Sequence, residues 1–289
     1  MSEPYEVARA AAAAWGLPAP THLRTGMSSL FACGDRVVLR VARNGFSAAD
    51  EQTFLEAVAA AGVRTPRLVR DVVDAGGGML VSAIKRVEPL GDIDWRSVGE
   101  MVRLVHSLDA PVTSPLPWCL DFPHWDIVAG LVDIASAIDH QALSGLRRAV
   151  DRWPDWRSAL AAEPRVLSHG DVHPGNVVPT AAGPVLLDWD LRCMAPAGWD
   201  HAALLTWSTR WNGTAGMYEA FADGYGASLP GEPAAECLAE LRLVVATIMR
   251  VKAGRTNPEA AVEAERRLRY WRGDVDAPRW TPEIGRAHV

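Results

Sequence analysis

Lysine is almost missing from this chain: Lys85 and Lys252 are the only two in 289 residues, and arginine carries nearly all the positive charge. The formal net charge is -6, and a binder of nucleic acid would need clustered cations to neutralise phosphates. Cysteine is equally sparse. Cys33, Cys119, Cys193 and Cys237 are scattered and form no C-x-x-C pair, which excludes a zinc ribbon or a disulfide framework. No apolar run approaches the ~20 residues that cross a bilayer. The start, Met1-Ser2-Glu3-Pro4, lacks the basic residues and hydrophobic stretch of a signal peptide, so a cytoplasmic protein is expected. No internal repeat or low-complexity segment occurs, and no G-x-x-x-x-G-K-[ST] phosphate loop is found. The remainder, 49% apolar and 22% charged, is ordinary for a globular chain.

The N-terminal part reads as a small sheet with one inserted helix. An Ala-rich helix is expected from Tyr5 to Trp15, ending at Gly16. Short strands follow at His22–Thr25 and Leu30–Cys33, across a turn at Gly26-Met27-Ser28-Ser29. Arg36–Arg43, R-V-V-L-R-V-A-R, alternates and is β-branched, which predicts a strand. Ser47 is placed to cap a helix over Ala48–Ala61, with Phe54, Leu55 and Val58 at helical spacing. Two more strands are expected at Arg67–Val73 and Met79–Val87.

Beyond that point helical patterns dominate. They cover Trp95–Leu108, Pro123–Ile138, Gln141–Trp153, Gly198–Thr209, Thr214–Tyr225, Ala234–Ala253 and Pro258–Trp271, and only the region Val177–Leu187 looks like strand. The expected fold class is α+β, with a sheet-based lobe at 1–84 and a larger, mainly helical lobe at 85–289.

Chemistry concentrates in Val166–Asp190, V-L-S-H-G-D-V-H-P-G-N-V-V-P-T-A-A-G-P-V-L-L-D-W-D. Its spacing is H-x-D-x-x-x-x-N, then an Asp after an apolar run, which is the arrangement that phosphoryl transfer from ATP requires. Asp171 is placed to orient or deprotonate an acceptor hydroxyl. Asn176 and Asp188 supply oxygens that suit a hard Mg²⁺ ion. His169 and His173 are read as residues that hold the loop. Two competing readings exist. A metal hydrolase would use His169, Asp171, His173, Asp188 and Asp190 as ligands but gives Asn176 no role. A catalytically inactive nucleotide-binding protein would normally have lost the base or a metal ligand, and all three are present.

These residues carry a family resemblance. S-H-G-D-V-H-P-G-N-V-V with L-L-D-W-D resembles the aminoglycoside phosphotransferase and choline kinase families, which are relatives of protein kinases. G-V-R-T-P-R-L at 62–68, V-R-L-V-H-S-L at 102–108 and Gly198-Trp199-Asp200-His201-Ala202 resemble their flanking motifs. The resemblance implies a protein-kinase-like two-lobe fold and an ATP- (or GTP-) and Mg²⁺-dependent kinase. Asp171 would be the catalytic Asp, Asn176 and Asp188 the metal ligands. Ser82–Ile84 would meet the adenine, with Ser82 and Ile84 touching the nucleotide, and the turn bearing Ser28 and Ser29 would cover its phosphates. The position usually held by a phosphate-binding Lys is Arg40, with Glu51 as its partner acid and Glu56 as second choice. Arg can serve both phosphate and carboxylate through its planar fork.

Gly170 stands where protein kinases carry an Arg, only about ten residues separate Asp188 from the helix near Gly198, and no A-P-E follows. A small-molecule hydroxyl acceptor is therefore expected, with no nucleic acid or membrane partner. Asp190, Asp200, Glu263 and Glu265 are candidates for an acidic acceptor pocket, and Trp207 and Trp211 for rings stacking on the acceptor. An acidic pocket would suit a cationic aminoglycoside or amino-alcohol, and antibiotic resistance would follow from the former. An uncharged sugar or other metabolite is the alternative.

Overall fold

The computed structural model describes residues 2–43, 45–109 and 116–282. Helix α1 (Glu3–Ala14) precedes strands β1 (Thr21–Thr25), β2 (Ser28–Cys33) and β3 (Val37–Ala42). Helix α2 (Ala48–Ala60), then β4 (Val73–Asp74) and β5 (Leu80–Lys85), complete an antiparallel sheet ordered β1-β2-β3-β5-β4. Both faces of β3 are covered, so that the adjacent Val38 and Leu39 are buried, while Arg40 is only partly covered. Phe31, Leu39, Val41 and Val81 pack with Ala8 and Ala12 of α1 into a core separate from that of the helical part. Ser47 caps α2 by accepting from the Asp50 amide at 3.0 Å, as its position in the sequence predicts.

The helical part comprises α3 (Trp95–His106), α4 (Ile127–Ile134), α5 (His140–Asp151) and α6 (Trp156–Ala162), followed after the loop region by α7 (Gly198–Leu205), α8 (Trp207–Arg210), α9 (Met217–Tyr225), α10 (Pro233–Gly254) and α11 (Pro258–Arg272). Asp94, Asp126, Asp139 and Asn257 cap α3, α4, α5 and α11, each satisfying an amide that the first turn leaves unpaired. Helix α10 is hydrophobic on much of its circumference and is central, packing on α7, α11 and α4. Between α6 and α7 lie β6 (Arg165–Ser168), β7 (Val177–Val178), β8 (Val185–Leu186) and β9 (Cys193–Pro196), forming the pairs β6-β9 and β7-β8. The fold is thus a protein-kinase-like arrangement: an antiparallel sheet lobe and a mainly helical lobe.

Several expectations need correction. Arg67–Val73 is not a strand; it meets β5 around the Leu68–Ile84 bridge, where the Lys85 amide donates to the Arg67 carbonyl at 2.8 Å, and again at Val73–Asp74, because the chain bends at Val69 and Arg70 between the two contacts. The strand expected over Val177–Leu187 is a hairpin of two two-residue strands, closed where the Thr180 hydroxyl donates to the Gly183 carbonyl at 2.7 Å. The helix expected from Pro123 begins as a single tight turn at Pro123–Trp125, and α4 starts only after the Asp126 cap. Gly198–Thr209 is broken at Thr206, and α9 begins after Gly216, whose φ of +80° is left-handed. Strands β6 and β9 and helix α6 were not expected.

Candidate active site

Strand β6 delivers the chain to His169, Gly170 and Asp171 at the centre of the molecule. Gly170 has φ +92°, and a Cβ there would lie 1.9 Å from the Leu191 carbonyl oxygen. No other residue fits, so the glycine that replaces the protein-kinase Arg is required by space as well as by backbone conformation. The turn is fixed from below by Asp200 at the start of α7. Its carboxylate accepts from the amides of His169 and Gly170, both at 2.8 Å, and its Oδ2 meets His106 Nε2 at 3.1 Å. Burial alone would raise the Asp200 pKa, but its interaction with His106 and the hydrogen bond from the Gly170 amide outweigh it, and the carboxyl is held below its usual range.

His169 is fully buried and its pKa is lowered, chiefly by burial. Its Nε2 donates to the Leu187 carbonyl at 2.9 Å, and its Nδ1 accepts from the Asp171 amide at 3.3 Å. A neutral ring makes both bonds, and they join the loop to the chain just before Asp188.

Asp171 is engaged at both oxygens. Oδ2 accepts from Asn176 Nδ2 at 3.1 Å and from His173 Nε2 at 3.2 Å, and Oδ1 accepts from Arg242 of α10. His173 Nδ1 accepts from the Gly175 amide at 3.0 Å, which leaves the proton on Nε2, facing Asp171. Burial would raise the Asp171 pKa, yet its interaction with His173 and the charge of Arg242 hold it well below the usual carboxylate range. Because protonation occurs only below that lowered value, Asp171 stays ionised throughout neutral and mildly acidic solution. The profile of kcat/KM should therefore show no acid limb from this group above about pH 4. An inflection between about pH 5 and 7 that moves in the Asp171→Glu variant would contradict this.

Asn176 Nδ2 also donates to the Asp171 carbonyl at 3.0 Å, leaving its Oδ1 as the ligand-capable atom. The Leu187 amide donates to the Asn176 carbonyl at 2.8 Å, so Asp188 follows immediately beside this loop. Asp188 has φ +61°, outside the range ordinary L residues favour. Its Oδ2 accepts from Arg24 Nη2 of β1 at 3.0 Å, while its Oδ1 is buried with no hydrogen-bond partner. An orphaned buried carboxylate oxygen is what a hard cation would satisfy, and Asn176 can add an amide oxygen. The donor set fits Mg²⁺.

The two-residue register of the sheet places Arg40 of β3 opposite Ser82 of β5. Arg40 reaches Glu51 of α2 at 3.2 Å and also donates to Asp190. Glu51 accepts in addition from the buried Arg192 at 2.7 Å, whose guanidinium lies over Phe46 and Phe54. Arg40, Glu51, Ser82, Ile84, Asp188 and Trp189 line a narrow cleft between sheet and loop. Ser82 and Ile84 lie within β5, not in a connecting loop.

On the other side of the loop, a cavity of about 390 Å³ contains Asp171, His173, Trp207, Trp211 and Arg242 in its wall. Trp207 stacks on His173 at 5.5 Å and on Trp211 at 5.3 Å, and the Arg267 guanidinium sits 4.7 Å over Trp211. The two tryptophans thus border the cavity but already stack with protein groups.

Other expected residues lie elsewhere. Ser28 and Ser29 are buried in β2 and line neither space; the turn at Gly26-Met27 is shorter than the sequence suggests, and Met27 instead borders the larger cavity. Asp190 is bound to Arg40 on the sheet side. Asp200 is beneath the loop. Glu263 pairs with Arg267 at 3.1 Å and is not in the cavity wall, and Glu265 pairs with Arg272 on an exposed face. Glu56, the second-choice partner for Arg40, bonds Gln52 on the exposed side of α2. The acidic acceptor wall is therefore not formed by these residues. Sequence reading missed Arg24, Arg192 and Arg242. Only Arg242 left a signal, as a lone charge within the apolar run L-R-L-V-V.

Fold and site together define a kinase-fold phosphotransferase. Residues 22–243 match the model of the Phosphotransferase enzyme family (APH), and the chain belongs to that family. Comparison with curated protein sequences gives no significant match. Among solved structures, a choline/ethanolamine kinase family protein from Mesorhizobium loti is similar at TM-score 0.67 and 20% identity, covering 99% of this chain and 98% of that one. The choline kinase of Streptococcus pneumoniae is similar at TM-score 0.60 and 16% identity, over 94% of this chain and 99% of its own. A spectinomycin phosphotransferase in complex with ADP and spectinomycin is similar at TM-score 0.62 and 13% identity, over 94% and 92%. At such identities the likeness is one of fold.

Proposed function

We propose that this chain transfers the γ-phosphate of ATP or GTP to a hydroxyl of a small molecule, with residues 1–84 as nucleotide-binding lobe and 85–289 as catalytic and acceptor lobe. The observation that carries this reading is the placement of Asp171 and Asp188 on either side of one short loop. Asp171 lines the larger cavity and Asp188 lines the cleft under the sheet. An acceptor in the first and a nucleotide in the second would meet at the motif.

In this reading the acceptor oxygen attacks the γ-phosphorus, the bond to the bridging oxygen breaks, and the nucleoside diphosphate leaves with that electron pair. Asp171 aligns the hydroxyl and takes its proton, which then passes to solvent. A strongly acidic carboxyl is a weak base, so its main contribution is alignment, consistent with a loose transition state that needs little deprotonation beforehand. His173 and Asn176 hold the carboxylate in register. Asn176 and Asp188 would hold Mg²⁺, which supplies charge neutralisation on the phosphates when bound. Arg40, steadied by Glu51, would face phosphate.

Asp188→Ala should weaken Mg²⁺-dependent nucleotide binding by about a hundredfold, judged from the loss of an outer partner alone costing 10–100-fold. Titration calorimetry with and without Mg²⁺ checks this, and an unchanged affinity would remove Asp188 from the metal site. The metal-hydrolase reading has less support: among the described residues no group of three or more His, Cys, Asp and Glu could hold a metal. A tightly bound transition metal in purified protein would revive it.

A further inference from the structure

The identity of the acceptor is inscribed in the wall around Asp171, and that wall is the reverse of the one the sequence suggested. Among the described residues, Asp171 is the only carboxylate that lines the cavity, whereas Arg242, Arg250 and Arg267 all reach it. His124, also in the wall, is neutral, its pKa pushed down to about 4 by burial and then by the Arg242 charge. Most of the remaining surface is aromatic and aliphatic, contributed by residues such as Phe122, Trp125, Trp199 and Met249. Such a wall favours an apolar body over a heavily hydrated one.

The decisive contact is Arg242 on Asp171. With Asn176 and His173 on Oδ2 and Arg242 on Oδ1, the carboxylate has its strongest donors in place before any acceptor arrives. Arg242 Nη2 otherwise has only a 3.5 Å approach to the Gly170 carbonyl. A hydroxyl aligned by Asp171 takes the lone pair that Arg242 leaves open on Oδ1, and so lies beside a guanidinium that pairs most strongly with an anion. A polycation would instead bring further positive charge to the same wall. Arg267 is held by Glu263, and Arg250 has a partner of its own, so the argument rests on Arg242.

We infer that the acceptor is a hydroxylated small molecule with a largely apolar or aromatic body and an anionic group, which pairs with Arg242 while the hydroxyl takes the open side of Asp171 Oδ1. Arg242 is then a specificity residue as well as a positioning residue for Asp171. This inference rests on the phosphotransferase reading for its hydroxyl but not for its charge preference.

The test is binding, followed through quenching of tryptophan emission, because four tryptophans border the cavity: Trp125, Trp199, Trp207 and Trp211. Three probes suffice: 3-phenyllactate, its uncharged counterpart 3-phenyl-1,2-propanediol, and kanamycin. The acid should bind about tenfold more tightly than the diol, the effect expected of one desolvated charge-assisted contact. Kanamycin should not displace it. In Arg242→Gln the acid and the diol should come within about threefold of each other. Equal affinities for acid and diol in the wild-type chain, or competitive binding of kanamycin at the concentration where the acid binds, would overturn the inference. The wild-type comparison stands even if the variant folds poorly. Because no nucleotide is needed, a chain that shows the anion preference but transfers no phosphate would count against the phosphotransferase reading alone.

Discussion

Replacing Asp171 with Asn will lower phosphate transfer about a thousandfold, within the range that loss of a positioned acid–base group gives. The substitution keeps the shape of the side chain and reverses half of its hydrogen bonding. The wild-type oxygens receive protons from Asn176, His173 and Arg242. An amide nitrogen in place of either oxygen points donor at donor, and the remaining oxygen is too weak an acceptor to align a hydroxyl. Nucleotide binding should persist, since Asp188 and the cleft lined by Ser82 and Ile84 are untouched. The measurement pairs single-turnover transfer with calorimetric nucleotide affinity. Transfer within tenfold of wild type would remove Asp171 from the chemistry.

The largest stability effect is expected at Asp200. Asp200→Ala leaves the His169 and Gly170 amides buried without partners and removes the carboxylate facing His106. Loss of one partner from a buried charged network costs about 3–5 kcal/mol, which for a chain of this size is a fall in Tm of roughly 10 °C. Asp200→Asn retains one acceptor and should lose less. The sign of the pH dependence follows from the pKa, which lies below the ordinary carboxylate value. A group depressed in the folded state adds stability that is fully present above its unfolded pKa and is lost as pH falls through the folded value. The gap between wild type and Asp200→Asn should therefore be constant from neutral pH down to about 4 and narrow below it. Denaturant unfolding across that range checks it; a gap that widens on acidification would mean that Asp200 is not ionised in the native loop. Transfer should fall with stability here, because the same amides shape the turn that presents Asp171.

Much of the fold was legible because it depends on local chemistry. Helices α2, α3, α10 and α11 have apolar residues at helical spacing and identifiable beginnings, and β3 alternates. The errors came where tertiary contact overrides pattern. Strands β6 and β9 are short, far apart in sequence and paired with each other, β9 meeting Trp118 besides through a single bridge at Met194, so neither had a periodicity long enough to read. At the site, H-G-D, Asn176 and Asp188 form a contiguous motif whose spacing is dictated by one loop, and their proximity follows. Arg24, Arg192 and Arg242 come from β1, from the turn after Asp190 and from α10. Nothing local distinguishes Arg24 and Arg192 from surface arginines, and Arg242 stands out only as a lone charge in an apolar run. Asp200 was misplaced for the same reason: a carboxylate at a helix start can face a pocket or a backbone, and only the path of β6 decides which.

The two arginines that reach Asp188-Trp189-Asp190 from the sheet have a consequence for how the cleft is loaded. Arg24 and Arg40 stand on β1 and β3 and give Asp188 and Asp190 positive partners, so these carboxylates are balanced by the protein's own charges. On the nucleotide reading, loading is an exchange of ions: the incoming cation takes Asp188, and the Arg24 guanidinium it displaces is left next to the phosphates that came with it. An opposite-charge contact then joins sheet and loop before and after the exchange, with only its partners traded.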